Sequence, residues 1–309
     1  MAADMTRTTL DPAQTSGRGR PAGGDRSRRL SESGVTLNVF GTGFLILWAL
    51  LVLVPVLWVI LGAFKDTGEL NGSAWSWPHE WSIDAFRRAW RTGISTYLKD
   101  TAIVMVFSVS LTMLFGAMAA YVLARFQFRG NRFIYYLFVS GVMLPVYLAL
   151  VPLFFQVSKL HMLNTYQGLV LVYVAFSMPF TVFFLHSFFR TLPSAVFEAA
   201  LIDGASHTRA FFQVMLPMAK PGLISVGIFN ILGQWNQYLL PLVLMQSQHG
   251  EDAHQMLSQG LVTLMVNQGY SGDYPALFAG MTIAMVPVLV VYLSFQRQVQ
   301  AGLTAGTLK

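Results

Sequence analysis

Cysteine is missing from this chain of 309 residues, which removes disulfides and thiolate metal ligands and leaves the redox compartment open. Charge is scarce as well. Charged residues make up 11% of the chain and hydrophobic ones 54%, whereas a soluble domain carries about 25% charged residues. That composition cannot coat one large folded core with polar groups, and long apolar runs account for it. The six histidines are scattered and form no H-x-x-x-H pair, so no metal site is expected. No G-x-x-x-x-G-K-[ST] occurs, hence no phosphate-cradling loop and no nucleotide site of the chain's own. No Ser/His/Asp arrangement suggests catalysis, and no paired carboxylates lie in an apolar run as a proton relay would need. The chain therefore reads as a non-enzyme without a cofactor, and no nucleic-acid partner is expected.

What is present divides sharply. Residues 1–38 are rich in Gly, Ser, Thr and Arg, hold six arginines against four acids, and lack apolar periodicity. Such a segment buries too little surface to offset its ordering entropy and is expected to be disordered. From residue 39 to 309 the chain reads as one all-α membrane domain. Six stretches of 22 to 25 residues contain no Asp, Glu, Lys or Arg: Gly41–Phe64, Thr101–Ala124, Phe133–Gln156, Tyr166–Phe189, Pro221–Met245 and Pro275–Gln296. A helix of roughly 20 residues crosses a hydrocarbon core of about 30 Å, with every backbone polar group satisfied internally. The first run is too long for a signal-peptide core and has no convincing cleavage site after it, so it is read as a retained span.

Lysine and arginine set the orientation. With the N-terminus inside, 14 of the 20 fall in inner segments, among them Arg125, Arg129, Arg132, Arg190, Arg209 and Lys220. Only Lys65, Arg87, Arg88, Arg91, Lys99 and Lys159 fall outside. The positive-inside rule places both termini in the cytoplasm. Trp75, Trp77, Trp81 and Trp90 then cluster in the first outer loop, where an interfacial aromatic belt is expected.

The inner segment Arg190–Lys220, 31 residues, is far longer than a connector needs. Pro193 can open a helix, Gly204 can close it in a left-handed cap, Ser206 can cap the next, and Pro217 prevents that one from running on. Phe197 and Leu201, like Phe211 and Met215, stand four apart, so each short helix can show an apolar stripe beside Glu198, Asp203 and Arg209. An apolar knob flanked by charge suits a pocket on a partner protein.

The spacing E-A-A-x3-G-x9-V-x-L-P (Glu198, Ala199, Ala200, Gly204, Val214, Leu216, Pro217) resembles the EAA loop of bacterial ABC importer permeases. The resemblance runs from about Val54 to Lys309 and includes "LNTYQGL", "MPFTVFFLHSFFRTLP", "WNQYLLPL" and "FQRQVQAGLTAGTLK". It is similar to the sugar-importing group, in particular to the second permease of the maltose transporter. The resemblance implies the permease fold of type I importers, a heterodimer with a second permease, two ATPase subunits that bind ATP and Mg, and an extracytoplasmic solute-binding protein. It also implies that the loop is the coupling helix seated in a cleft of the ATPase, with Glu198 facing a basic group there. The C-terminal run, with Gly302, Gly306 and Lys309, is implied to enter the ATPase dimer. The outer loop Gln246–Tyr274 is implied to reach the binding protein through His249–Ser258, which carries His249, Glu251, Asp252 and His254; a loop without a partner is the other reading. The chain departs from the family pattern at Ser194–Phe197, where acids are usual, and at Gln237, where an acid commonly follows the Trp-Asn pair.

The fifth run carries Asn230, Gln234 and Gln237 on one helical face, with Asn236 beside them. Neutral amides suit a sugar route, and equally suit packing between helices. Gly116 and Ala120 give a small-xxx-small contact on the second run, and Pro145, Pro152, Pro179 and Pro287 can kink theirs. His186, the one ionisable residue noted within the runs, is read as a packing residue. The expected function is import of a sugar or oligosaccharide across the cytoplasmic membrane. The alternatives are another solute such as an amino acid or polyamine, an ion-gradient transporter, which would need ionisable groups inside the spans, or a membrane scaffold, which leaves the patterned loop unexplained.

Overall fold

In the computed structural model, residues 24–73, 75–246 and 254–305 are described. They fall into two units that divide at Val56. In the first, helix α1 (Gly24–Gly62) begins upstream of the apolar run, and Phe44, Leu45, Leu47, Trp48 and Leu50 are among its exposed residues. Residues 24–38, expected to be disordered, thus lie in a helix; residues 1–23 are outside the described ones. Extending an existing helix backwards needs no new nucleus, which composition alone does not reveal.

The second unit starts with the end of α1. Two short helices follow, α2 (Thr67–Gly72) and α3 (Asp84–Ala89), and then a π turn (Trp90–Ile94) kinked at Gly93 that leads into α4 (Ser95–Arg125). Next come α5 (Asn131–Met143), α6 (Val146–Lys159) and α7 (Tyr166–Thr191). The segment after α7 holds α8 (Ser194–Ile202), α9 (His207–Ala210), a second π turn (Phe211–Met215) and α10 (Leu216–Met218). Then α11 (Lys220–Trp235), α12 (Leu239–Leu244), α13 (Leu257–Ser271) and α14 (Tyr274–Ala305) complete the unit. The described residues contain no strand.

Four stretches are long and apolar enough to cross a membrane, the second of them kinked at Gly93: Gly41–Gly62, Asp84–Arg125, Tyr166–Thr191 and Tyr274–Gln296. Two further spans are reached only by counting bent pairs. The third expected span breaks into α5 and α6 at an angle of 105°. Pro145 causes this break: it has no N–H to donate, and its ring forces Leu144 into extended backbone (ψ 120°). Pro152, Pro179 and Pro287 sit inside continuous helices instead. The second bent pair joins His207–Met218 to α11 at 77°, upstream of the fifth expected span. That span is itself interrupted where α11 stops at Trp235, three residues short of α12.

Helix α4 packs along α7, with α11 against both and α14 against α11 and α3. In lipid no hydrophobic force drives such pairing, so close backbone approach has to supply it. Gly116 does so: a Cβ there would collide with Thr181 of α7. Ala120, one turn on, is fully buried, so the small-residue contact expected on this run is present. Three apolar cores stack through the second unit: Tyr121, Leu185, Phe189 and Met215 near α8, Val104, Leu169, Tyr173 and Leu244 in the middle, and Ile94, Leu257, Leu264 and Phe278 near α13.

Candidate functional site

The short helices after α7 owe their shape to local chemistry. Pro193 stands in the N-cap position of α8, extended at ψ 130°, rather than inside the first turn. At the other end the chain reverses on Gly204, with φ +83°. The N–H of Gly204 donates to Leu201 O (3.0 Å) and that of Ala205 to Ala200 O (3.0 Å). This paired closure is the Schellman motif, in which only glycine takes the left-handed position without a Cβ clash. The hydroxyl of Ser206 accepts from the N–H of Arg209 (3.3 Å) and opens α9. Arg209 itself donates from Nε to Gln213 Oε1 (2.8 Å).

The apolar stripes face the opposite way from expectation. Phe211 and Met215 are buried in the protein's own core, and the rings of Phe211 and Phe197 lie 4.8 and 6.3 Å from that of Tyr121 on α4. His207 packs on Phe126 and Phe197, and Arg125 Nη2 donates to Leu192 O. A four-residue spacing locates a stripe but cannot say which partner it meets, and the nearest aromatic surface is intramolecular. What faces outward is Ile202, 86% exposed, and Glu198, Ala199, Asp203 and Arg209 are exposed as well. Pro217 does not end its helix either. The π turn just before it widens the spiral and relieves the clash of the ring with the carbonyl four residues back. The helix then stops at Ala219 (ψ 0°).

Between α7 and α11 lies a cavity of about 330 Å³. Asn230, Gln234, Gln237 and Ser177 give it neutral polar groups, and Tyr173, Phe176, Phe180 and Phe229 give it aromatic walls; no charged residue lines it. The expected amide face is therefore assembled at one cavity, although Gln237 projects from the break after α11 and not from its helix. Asn236 does not join it. Its side chain is exposed and donates to Leu232 O (2.8 Å), closing the end of α11.

The same amides also hold helices together. Asn230 Nδ2 donates to Thr181 Oγ1 (2.9 Å) on α7. Ser108 on α4 donates to Gln234 Oε1, and Gln234 Nε2 donates to Ser177 Oγ (3.1 Å) on α7. Lining and packing, posed as alternatives by the sequence, coexist at Asn230 and Gln234. His186 packs its ring 4.1 Å from that of Tyr135, as a packing residue should.

Residues 112–304 match the model of a family described as the binding-protein-dependent transport system inner membrane component. The chain belongs to this family. The permease is 51% identical over 284 residues to the diacetylchitobiose uptake system permease protein NgcG of Streptomyces coelicolor, covering 92% of this chain and 93% of the relative. It is 33% identical over 266 residues to the arabinooligosaccharides transport system permease protein AraQ of Halalkalibacterium halodurans, covering 84% and 92% of the two. Among solved structures it resembles a chain of a bacterial ABC transporter involved in the import of the acidic polysaccharide alginate. That match has a TM-score of 0.73 at 21% identity and covers 86% of this chain and 97% of the other. It supports the fold alone.

At the α13 end the permease holds a buried carboxylate that sequence reasoning passed over. Asp100 is 2% exposed and lies inside α4, because that helix begins before the uncharged run does. Asp100 thus stands one residue outside the uncharged run but inside the helix that carries it. Asp100 Oδ1 accepts from the Tyr166 hydroxyl (2.7 Å), and Oδ2 accepts from the N–H of Gln255 (3.3 Å). His254, one of the outer-loop candidates, lies with Nδ1 3.8 Å from Oδ2 and its ring 4.2 Å from that of Tyr166. Part of the expected loop is helix α13. His249, Glu251 and Asp252 lie outside the described residues, as do Gly306 and Lys309. Gly302 falls within α14, so the C-terminal run starts as a continuation of that helix.

Proposed function

We propose that this permease carries a sugar or oligosaccharide across the cytoplasmic membrane, as one of two permease subunits driven by two ATPase subunits and supplied by an extracytoplasmic solute-binding protein. The observation that carries the reading is the segment between α7 and α11. It is pinned by aromatic packing to α4 and α7, yet presents Ile202, with Glu198, Asp203 and Arg209 of the same segment also exposed, where a second protein can seat it. An element bound firmly to the bundle and open on its far side is built to pass motion from a partner to the membrane helices. ATP and Mg belong to that partner. Arginine and lysine bias supports a cytoplasmic position for this segment and for both termini, and the C-terminal residues Gly302, Gly306 and Lys309 are assigned to the ATPase contact as well.

The sugar class rests on the 51% identical diacetylchitobiose permease and on the arabinooligosaccharide relative, and it agrees with the neutral amides and aromatic walls of the cavity. Asn230, Gln234 and Gln237 are its proposed contacts with the sugar. Residues 249–258, with His249, Glu251, Asp252 and His254, are proposed to meet the binding protein. The test is uptake of labelled diacetylchitobiose and other oligosaccharides by the source bacterium with and without this gene. Loss of saccharide uptake, restored by the intact gene, is expected. Unchanged saccharide uptake with loss of amino-acid or polyamine uptake would replace the substrate class.

A further inference from the structure

Three successive backbone N–H groups just before and at the start of α13 donate to side chains instead of to backbone. Gln255 donates to Asp100 Oδ2 (3.3 Å), Met256 to Gln259 Oε1 (3.1 Å) and Leu257 to Thr101 Oγ1 (2.8 Å). Two of these acceptors are neighbours on α4, more than 150 positions away in the chain. The third acceptor, Gln259, also donates from Nε2 to Met245 O (2.9 Å), so one buried amide ties both ends of the connection between α12 and α13. A helix start normally exposes such N–H groups to water or to its own cap. Here buried side chains take them, and the one that accepts from Gln255 is a carboxylate. Removing it would take the acceptor from the half-buried Tyr166 hydroxyl and one bond from the Gln255 N–H, a costly loss where the carboxylate is 2% exposed.

Asp100 is about 12 Å along α4 from Ser108, the residue that reaches the cavity wall, by the 1.5 Å rise per residue. It does not line the cavity. Its bonds go to α7 and to the stem that carries His254, and a fixed stem is what a docking loop needs if the binding protein is to meet it in one geometry. We propose that Asp100, with Thr101, is a positioning residue for the solute-binding protein: the pair holds residues 254–257 in place and thereby sets how tightly the loaded binding protein docks, without touching the sugar. The proposal rests on the reading that residues 249–258 meet that protein.

The experiment uses the complete importer in liposomes, with its loaded binding protein titrated against ATP hydrolysis. Asp100→Ala is expected to raise the half-saturating concentration of binding protein tenfold or more, with maximal and basal hydrolysis kept within twofold. Asp100→Asn keeps one acceptor and is expected to fall between. Thr101→Val, which removes one acceptor at constant shape, is expected to give a rise of a few-fold and serves if Asp100→Ala does not assemble. In parallel, a photocrosslinking phenylalanine replaces His249 in the otherwise unchanged permease. Half-saturation within twofold of the parent for Asp100→Ala and Thr101→Val, while position 249 captures the binding protein, overturns the positioning role and leaves the loop reading intact. Failure of position 249 to capture it overturns the loop reading itself. A fall in maximal rate at unchanged half-saturation marks the pair as merely structural and also overturns the proposal.

Discussion

Gln234 and Gln237 share the wall of one cavity, but their side chains are engaged differently. Gln234 is bonded at both ends, to Ser108 and Ser177. The Gln237 side chain has no hydrogen-bond partner among the described residues, while its carbonyl accepts from Ser258. Replacing Gln234 with Leu removes both bonds: Ser108 keeps only Met105 O (3.3 Å), and the half-buried Ser177 hydroxyl loses its donor, at a cost of about 1 kcal/mol for each bond lost. Both lower uptake and a melting temperature reduced by a few degrees are expected of the solubilised complex. Replacing Gln237 with Leu leaves the packing alone, so uptake per assembled complex should drop about tenfold at an unchanged melting temperature. Measuring both quantities on both variants separates lining from packing. Normal uptake in Gln237→Leu would remove that amide from the route.

The element after α7 shows which sequence signals suffice and which do not. Gly204 and Ser206 were legible because their partners lie within five residues: the turn needs a positive φ, and the cap needs a hydroxyl. The direction of the Phe197 and Phe211 stripes was not legible, because Tyr121 and Phe126, which receive them, come from a helix some 80 residues upstream. Gly204→Val places a β-branched residue at φ +83°, a strain of roughly 1–2 kcal/mol or more, and tilts α8 against its neighbour. Membrane insertion should stay normal, while transport-coupled ATP hydrolysis and uptake are lost. Glu198→Lys, on the exposed face, should lose uptake in the same way with no change in thermal stability. Wild-type uptake in either variant would show that this face is not the coupling surface.

For the whole molecule, the charge bias assigns each end of the bundle to a side of the membrane, and the natural absence of cysteine makes that assignment simple to measure. A single cysteine in place of exposed Ser206 should react only with reagents admitted to the cytoplasm. One in place of exposed Thr263, on α13, should react with an impermeant maleimide added outside. The reverse pattern would invert the permease. Four of the six uncharged runs coincide with helices long enough to span, and a count of six is reached only if each bent pair is one span. The 105° break at Pro145 and the interruption before Gln237 were not legible, since a proline marks where a helix can yield and packing decides whether it does. Pro179 and Pro287 stay within unbroken helices for that reason. Asp100 escaped notice because its acceptor role depends on Tyr166 and Gln255, which only the folded chain brings to it.

Helix α4 runs 31 residues with no proline inside it, a rod of about 46 Å at 1.5 Å per residue. Asp100 lies near one end, Ser108 reaches the cavity between, and Tyr121 and Arg125 hold the segment after α7 at the other. Such a rod fixes the angular phase among its three stations as firmly as their spacing, because each residue turns it by about 100°. A shift of one residue anywhere between Asp100 and Tyr121 would carry one set of contacts a quarter-turn or more out of phase with the others. The anchor of the α13 stem, the cavity wall and the hold on the segment after α7 are thus set in one rotational register along a single helix.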